Sequence, residues 1–61
     1  MTIMQFFECD HLPEQLQQIS APICELARDL DNELIDCPEK AAGLRKLLEA
    51  KDCFVRASFQ N

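Results

Sequence analysis

The sequence is poor in the residues that most active sites need. A single glycine, Gly43, in 61 residues leaves no glycine-rich loop to cradle a phosphate. A single histidine, His11, and the absence of any CxxC pair leave no metal-ligand spacing, because zinc sites need ligands in closer pairs. There is no Ser/His/Asp set. No apolar run approaches the roughly 20 residues of a membrane span. The N-terminal stretch MTIMQFFECD has neither a basic region nor a sustained apolar run, so no signal peptide is expected. That points to a reducing cytosol, in which Cys9, Cys24, Cys37 and Cys53 are expected to be free thiols packing as small apolar residues. Under oxidation the pairs to consider are Cys24 with Cys53, or Cys9 with Cys37. Basic residues are also scarce, six against eleven acids for a net charge of −5. That balance argues against binding long DNA, whose affinity comes from summed phosphate neutralisation.

The bases that are present sit at one end. Residues 1–39 carry nine acids and only Arg28, whereas residues 40–61 carry two acids and five bases. A small anion held at a local basic patch is therefore compatible with the acidic total. A chain of this length buries only about 60% of the surface its unfolded form exposes. Small scaffolds of this kind need disulfides, metal or oligomerisation. With free thiols and no metal set, oligomerisation is the expected stabiliser.

The pattern predicts an all-α single domain over residues 1–61: an antiparallel helical hairpin with a short N-terminal arm, residues 1–10. The arm is apolar, without helical period or cap, and reads as extended. Asp10 is a candidate N-cap, with Pro13 in the first turn, for a first helix over about 11–35. Leu12, Leu16, Ile19, Ile23, Leu26, Leu30 and Leu34 recur at steps of three and four, the mark of an amphipathic helix. Pro22 interrupts it and predicts a kink, or a short helix at 12–19 followed by a second start. The acid-rich last turn (Asp29, Asp31, Glu33) opposes the helix macrodipole and so calls for a basic partner or a solvated face.

Asp36-Cys37-Pro38-Glu39 has the form of a capping box and opens a second helix over about 37–58. The short link forces the two helices antiparallel. On the second helix, Ala41, Leu44, Leu48 and Val55, flanked by Leu47 and Phe54, form the expected seam against the first. A stripe of small residues around Gly43, Ala50 and Cys53 leaves room for close approach. Arg45, Glu49, Asp52 and Arg56 are spaced for an ion-pair ladder worth about 0.2–0.5 kcal/mol per pair.

Lys40, Arg45, Lys46, Lys51 and Arg56 are the only candidate anion-binding set. Arginine suits phosphate because its planar fork bonds two oxygens at once. The first turn of the second helix, near Lys40, adds free N–H groups. Phe6 and Phe7 are either core contacts or platforms for a planar ligand, and His11 is either a solvent-facing residue at the helix start or part of a site. A hairpin this small has no interior cleft, so any ligand site lies between subunits.

The runs PEKAAGLRKLLEAKDCFVRA (residues 38–57) and HLPEQLQQISAPICELARDLD (residues 11–31) resemble the short helical-hairpin proteins of phages that sequester cyclic-nucleotide immune signals, the anti-CBASS and anti-Thoeris sponge family. The resemblance covers nearly the whole chain. It implies a homohexamer in the host cytosol whose inter-subunit pockets bind cyclic di- or trinucleotides without cleaving them, with no cofactor. Carried over by position, Lys40 is the first phosphate contact, Arg45 and Lys46 the next, and Arg56 lines another site; Phe6, Phe7 or His11 stack on the bases. The arm departs from larger members in lacking a tyrosine. The alternative is a small structural or regulatory protein–protein interaction module with no nucleotide ligand.

Overall fold

The computed structural model describes residues 2–60; Met1 of the arm and Asn61 of the tail lie outside it. Two long helices form the hairpin: α1 spans Glu14–Glu33 and α2 spans Pro38–Ser58. No strand occurs among the described residues. The link is the four residues between them, and the start of α1 (Pro13, Leu16) lies beside the end of α2 (Ser58, Phe59), so the helices run antiparallel. No described helix is long and apolar enough to cross a membrane.

The arm differs from its expectation. Ile3–Phe7 is a short 3-10 helix, here called the arm helix, rather than an extended segment. Its carbonyl end is met by two cations. Lys51 Nζ donates to the Phe6 carbonyl at 2.6 Å and Arg28 donates to the Phe7 carbonyl at 3.4 Å. Positive charge is favoured where a helix leaves carbonyls unpaired, and hydrogen bonds to charged groups contribute about 1.5–3 kcal/mol each.

The start of α1 is also later than Asp10 suggests. Pro13 disfavours helical backbone at Leu12, so residues 10–12 form a turn closed by Leu12 N–H to Cys9 C=O at 3.1 Å. Gln17 ties that turn down, donating to the Leu12 and Asp10 carbonyls at 2.6 and 3.0 Å. Pro22 does not split α1, which is one continuous helix with the proline inside it. Both Pro22 and Gln18, whose carbonyl loses its partner, are exposed, so the freed group lies on the solvent side of the helix.

The inward face of α1 is the main surprise. Its buried residues are Ser20, Cys24 and Ala27, spaced four and three apart. The leucine stripe lies about 100° around the helix, and Ile19, Leu26, Leu30 and Leu34 remain substantially exposed. The physical reason is Phe7. Its ring is fully buried, and it clusters with Cys9, Cys24, Ala27 and Leu44. A phenyl group needs a hollow, and only the small side chains of α1 provide one. On α2, Leu44 and Lys51 are buried while Leu47 and Leu48 are half-buried.

The cysteines depart from expectation as well. Cys9 and Cys24 form a disulfide that joins the arm to α1, with Cα atoms 6.9 Å apart, while Cys37 and Cys53 are free and exposed. Neither of the pairs suggested by the sequence forms, because the turn after the arm helix carries Cys9 onto the small-residue face of α1. In the chain-entropy account, closing a loop of 15 residues contributes about 3 kcal/mol.

Replacing a buried Phe by Ala costs about 3–5 kcal/mol. Phe7→Ala is therefore expected to lower the urea midpoint severely, whereas Phe6→Ala, at a half-exposed ring of the same arm, should change the stability of the isolated chain by about 1 kcal/mol or less. Urea titration followed by circular dichroism checks the contrast.

Candidate functional site

The six candidate cations and aromatics outside the core fall into separate places. Lys40 sits in the first turn of α2 but its ammonium points back into the hairpin link. It donates to the carbonyls of Asp31 and Leu34 at 2.8 and 3.0 Å, and it contacts the carboxylates of Asp36 and Asp31 at 2.8 and 3.0 Å. Its side chain is only 7% exposed. The acid-rich end of α1 thus has its basic partner, and that partner is Lys40. The capping box does not form. The N-cap is Cys37, with no side-chain bond to the helix, and Asp36 stands one residue too early, so its carboxylate turns to Lys40 four residues on.

Electrostatics follow from this knot. The hydrogen bond from Lys40, then its charge, holds the Asp36 carboxyl below its ordinary 3.8. Hydrogen bonds to Asp36 first and Asp31 next raise Lys40 above its ordinary 10.5, against a smaller cost of desolvation. The three N–H donors of Lys40 are all taken up by these four oxygens, so it acts as a clasp on the turn.

Arg45 and Lys46 are different. Both are exposed, and neither forms an ion pair among the described residues. The ladder expected of Arg45, Glu49, Asp52 and Arg56 is not made; Arg56 instead donates to Cys53 Sγ at 3.3 Å. Arg45 and Lys46 border an open depression of about 460 Å³ with Pro38, Ala41, Ala42 and Glu49. The small alanines keep it shallow and accessible. Because the first turn of α2 has no side-chain cap, the positive end of its dipole adds to the two cations.

A second depression, of about 380 Å³, runs between the helices on the side away from the arm, lined by Leu30, Leu34, Gly43, Leu47 and Ala50, with Lys46 at its edge. Lys46 therefore borders both hollows. A Cβ added at Gly43 would meet nothing within 4 Å, so no atom of the same chain requires glycine there.

The other candidates are not gathered with these. Arg56 lies eleven residues beyond Arg45, about 16 Å along the helix. Phe7 is fully buried and has no face for a ligand. Phe6 is 54% exposed and anchored by its carbonyl to Lys51. His11 is exposed in the turn before α1, at the opposite end of the hairpin from Lys40. Sequence reading missed Arg28 and Lys51 as the arm's anchors. The signal for Lys51 was present: it stands seven residues after Leu44, in the inward register of α2.

No protein family, curated protein or solved structure matches this chain significantly.

The Lys40 knot makes a pH prediction. A carboxyl held low contributes stability that is complete above about pH 4 and is lost as pH falls through its folded value; a raised lysine contributes stability that is complete below about pH 10 and is lost above. Lys40→Met should flatten the decline in melting temperature on both flanks, below pH 4 and above pH 10, while leaving the slope between pH 5 and 9 unchanged. Thermal melts across that range check it.

Proposed function

We propose that this protein is a non-catalytic binder of cyclic oligonucleotide signals, working in the host cytosol as a homo-oligomer of hairpins that withholds the signal from antiviral effectors. The observation that carries the reading is the exposed Arg45–Lys46 pair, free of carboxylate partners among the described residues, of which Lys46 also borders an apolar face that one chain leaves open. The chain exposes 4726 Å², whereas a compact 7.0 kDa protein exposes about 4,000 Å². Association through the leucines of α1 removes that excess and places two copies of each cation around a shared hollow. A cyclic dinucleotide carries two phosphates and two flat bases, which suits a two-fold arrangement. The resemblance of residues 11–31 and 38–57 to phage sponge proteins supports the same reading. Of the two arm phenylalanines Phe6 is the one available for stacking, and Arg56 or His11 would belong to a different pocket. Lys40 serves such a site through the turn it holds.

Calorimetry against a panel of cyclic di- and trinucleotides tests this, with recovery of intact ligand after heat denaturation. Micromolar binding and full recovery are expected. No binding by any member sinks the proposal, and degraded ligand would point to an enzyme instead. Losing a charge-assisted hydrogen bond costs about 1.5–3 kcal/mol, so Arg45→Glu and Lys46→Glu are each expected to weaken binding at least tenfold.

The open apolar face also favours a second reading, an interaction module that docks a protein and binds no nucleotide. In that case Arg45→Glu leaves function intact. Under the first reading, Leu26→Glu should preserve helicity while lowering the mass seen by analytical ultracentrifugation, because Leu26 is 48% exposed in the single chain; an unchanged monomer mass favours the second.

A further inference from the structure

The N-terminal arm is held by few contacts. Among the described residues no backbone hydrogen bond joins it to either helix. The buried Phe7 ring, the half-buried Ile3 and Met4, two cation–carbonyl bonds and the Cys9–Cys24 disulfide keep it in place. Lifting the arm withdraws Phe7 and breaks two charge-assisted bonds, so it is costly, but it breaks no backbone hydrogen bond of either long helix and can precede their unfolding. The two sulfurs are covered while the arm is docked, Cys9 at 5% and Cys24 at 1% exposure. A thiol reaches them only when the arm lifts. The remaining cysteines, Cys37 and Cys53, are exposed thiols and take no part in the pair.

We propose that Cys9 and Cys24 form a reversible thiol–disulfide staple, which locks the arm onto α1 when oxidised and frees it when reduced by a small thiol of the glutathione class. The exchange balances through a mixed disulfide. In the reductive direction one thiolate RS⁻ attacks a protein sulfur and expels the other as a thiolate. A second RS⁻ then attacks the mixed disulfide, leaving RSSR. The protein gains two electrons, and two protons restore Cys9 Sγ–H and Cys24 Sγ–H. Oxidation runs the same steps backward, with RSSR as the oxidant. Release uncovers the hollow of Cys24, Ala27 and Leu44 and deprives Arg28 and Lys51 of their carbonyl acceptors. The device acts on the arm, so it stands whatever ligand Arg45 and Lys46 hold.

The test uses the full chain equilibrated over a series of ratios of glutathione to glutathione disulfide. Each sample is alkylated with iodoacetamide, mapped by peptide mass spectrometry and digested briefly with chymotrypsin. At the oxidised end Cys9 and Cys24 are expected to be joined to each other and unalkylated, with the exposed Cys37 and Cys53 carried as glutathione mixed disulfides or alkylated, and at the reduced end all four are alkylated. Cleavage after Phe7 is expected to be at least tenfold faster in the reduced protein, and the melting temperature about 10 °C lower or more. Cys9→Ser, which leaves α1 intact, should be cleaved at the reduced rate at every ratio. Phe7→Ala should speed reduction of the disulfide by dithiothreitol at least tenfold. The proposal is overturned if Cys9 and Cys24 stay alkylatable in glutathione disulfide alone, or if mapping finds another pairing. Equal cleavage after Phe7 in both states, or protection of Cys9→Ser equal to that of the oxidised protein, overturns it as well.

Discussion

A helical hairpin has two broad sides, and a chain of this length covers only one of them. That side is covered by the arm, with the Phe7 ring at its centre and Ile3 and Met4 packed beside it. Phe7 needs depth, and α1 supplies it by turning Ser20, Cys24 and Ala27 inward. Once those residues face the arm, the leucines of α1 cannot. Leu26, Leu30 and Leu34 are carried to the far side, where the hairpin has nothing of its own to place over them. The outward apolar stripe is thus the geometric counterpart of the inward small one. A single chain satisfies the arm at the expense of its own amphipathic face, and the proposed association would cover that face.

The same division sorts the cations. Arg28, Lys40 and Lys51 are turned inward onto carbonyls and carboxylates: Lys40 holds the link, and the other two hold the arm. Arg45 and Lys46 are left facing water around the shallow depression on α2, and Lys46 also stands at the edge of the apolar hollow. A net acidic protein can therefore present a local positive patch. The acids that outnumber the bases lie mostly on α1 and the arm, while the free bases lie on α2. Charge-assisted contacts to backbone carbonyls do the work that a larger core would do in a longer chain.

Much of this plan was legible in the residues. Repeating apolar positions and the Asp36–Glu39 punctuation were enough for two helices, their short link and the bounds of α2. What periodicity cannot reveal is which of two adjacent stripes faces a partner that is itself only a short arm. The leucine stripe carries the larger hydrophobic signal, so spacing favours it; the depth required by Phe7 decided otherwise. Lys40 shows the matching difficulty for charge. A lysine in a first turn reads equally well as an anion contact or as a brace for the preceding helix, and only the position of the Asp31 and Leu34 carbonyls separates the two. The Cys9–Cys24 pair depended on a turn at residues 10–12 that follows from the effect of Pro13 on Leu12, a local rule outweighed in the sequence by the capping potential of Asp10.

The docking of the arm also sets an order of events at synthesis. Phe6 and Lys51 are 45 residues apart in the chain, and Leu44 completes the hollow for Phe7. The arm leaves the ribosome before the surface that receives it and is seated after that surface is made. At translation rates of about 5–20 residues per second, the arm waits roughly 2–9 s before its anchor on α2 has even been made. During that interval two phenylalanines and Cys9 travel uncovered. Contacts between distant parts of a chain form late because loop closure precedes any reward. Hairpin closure must come first, and the arm then seats on a surface already built.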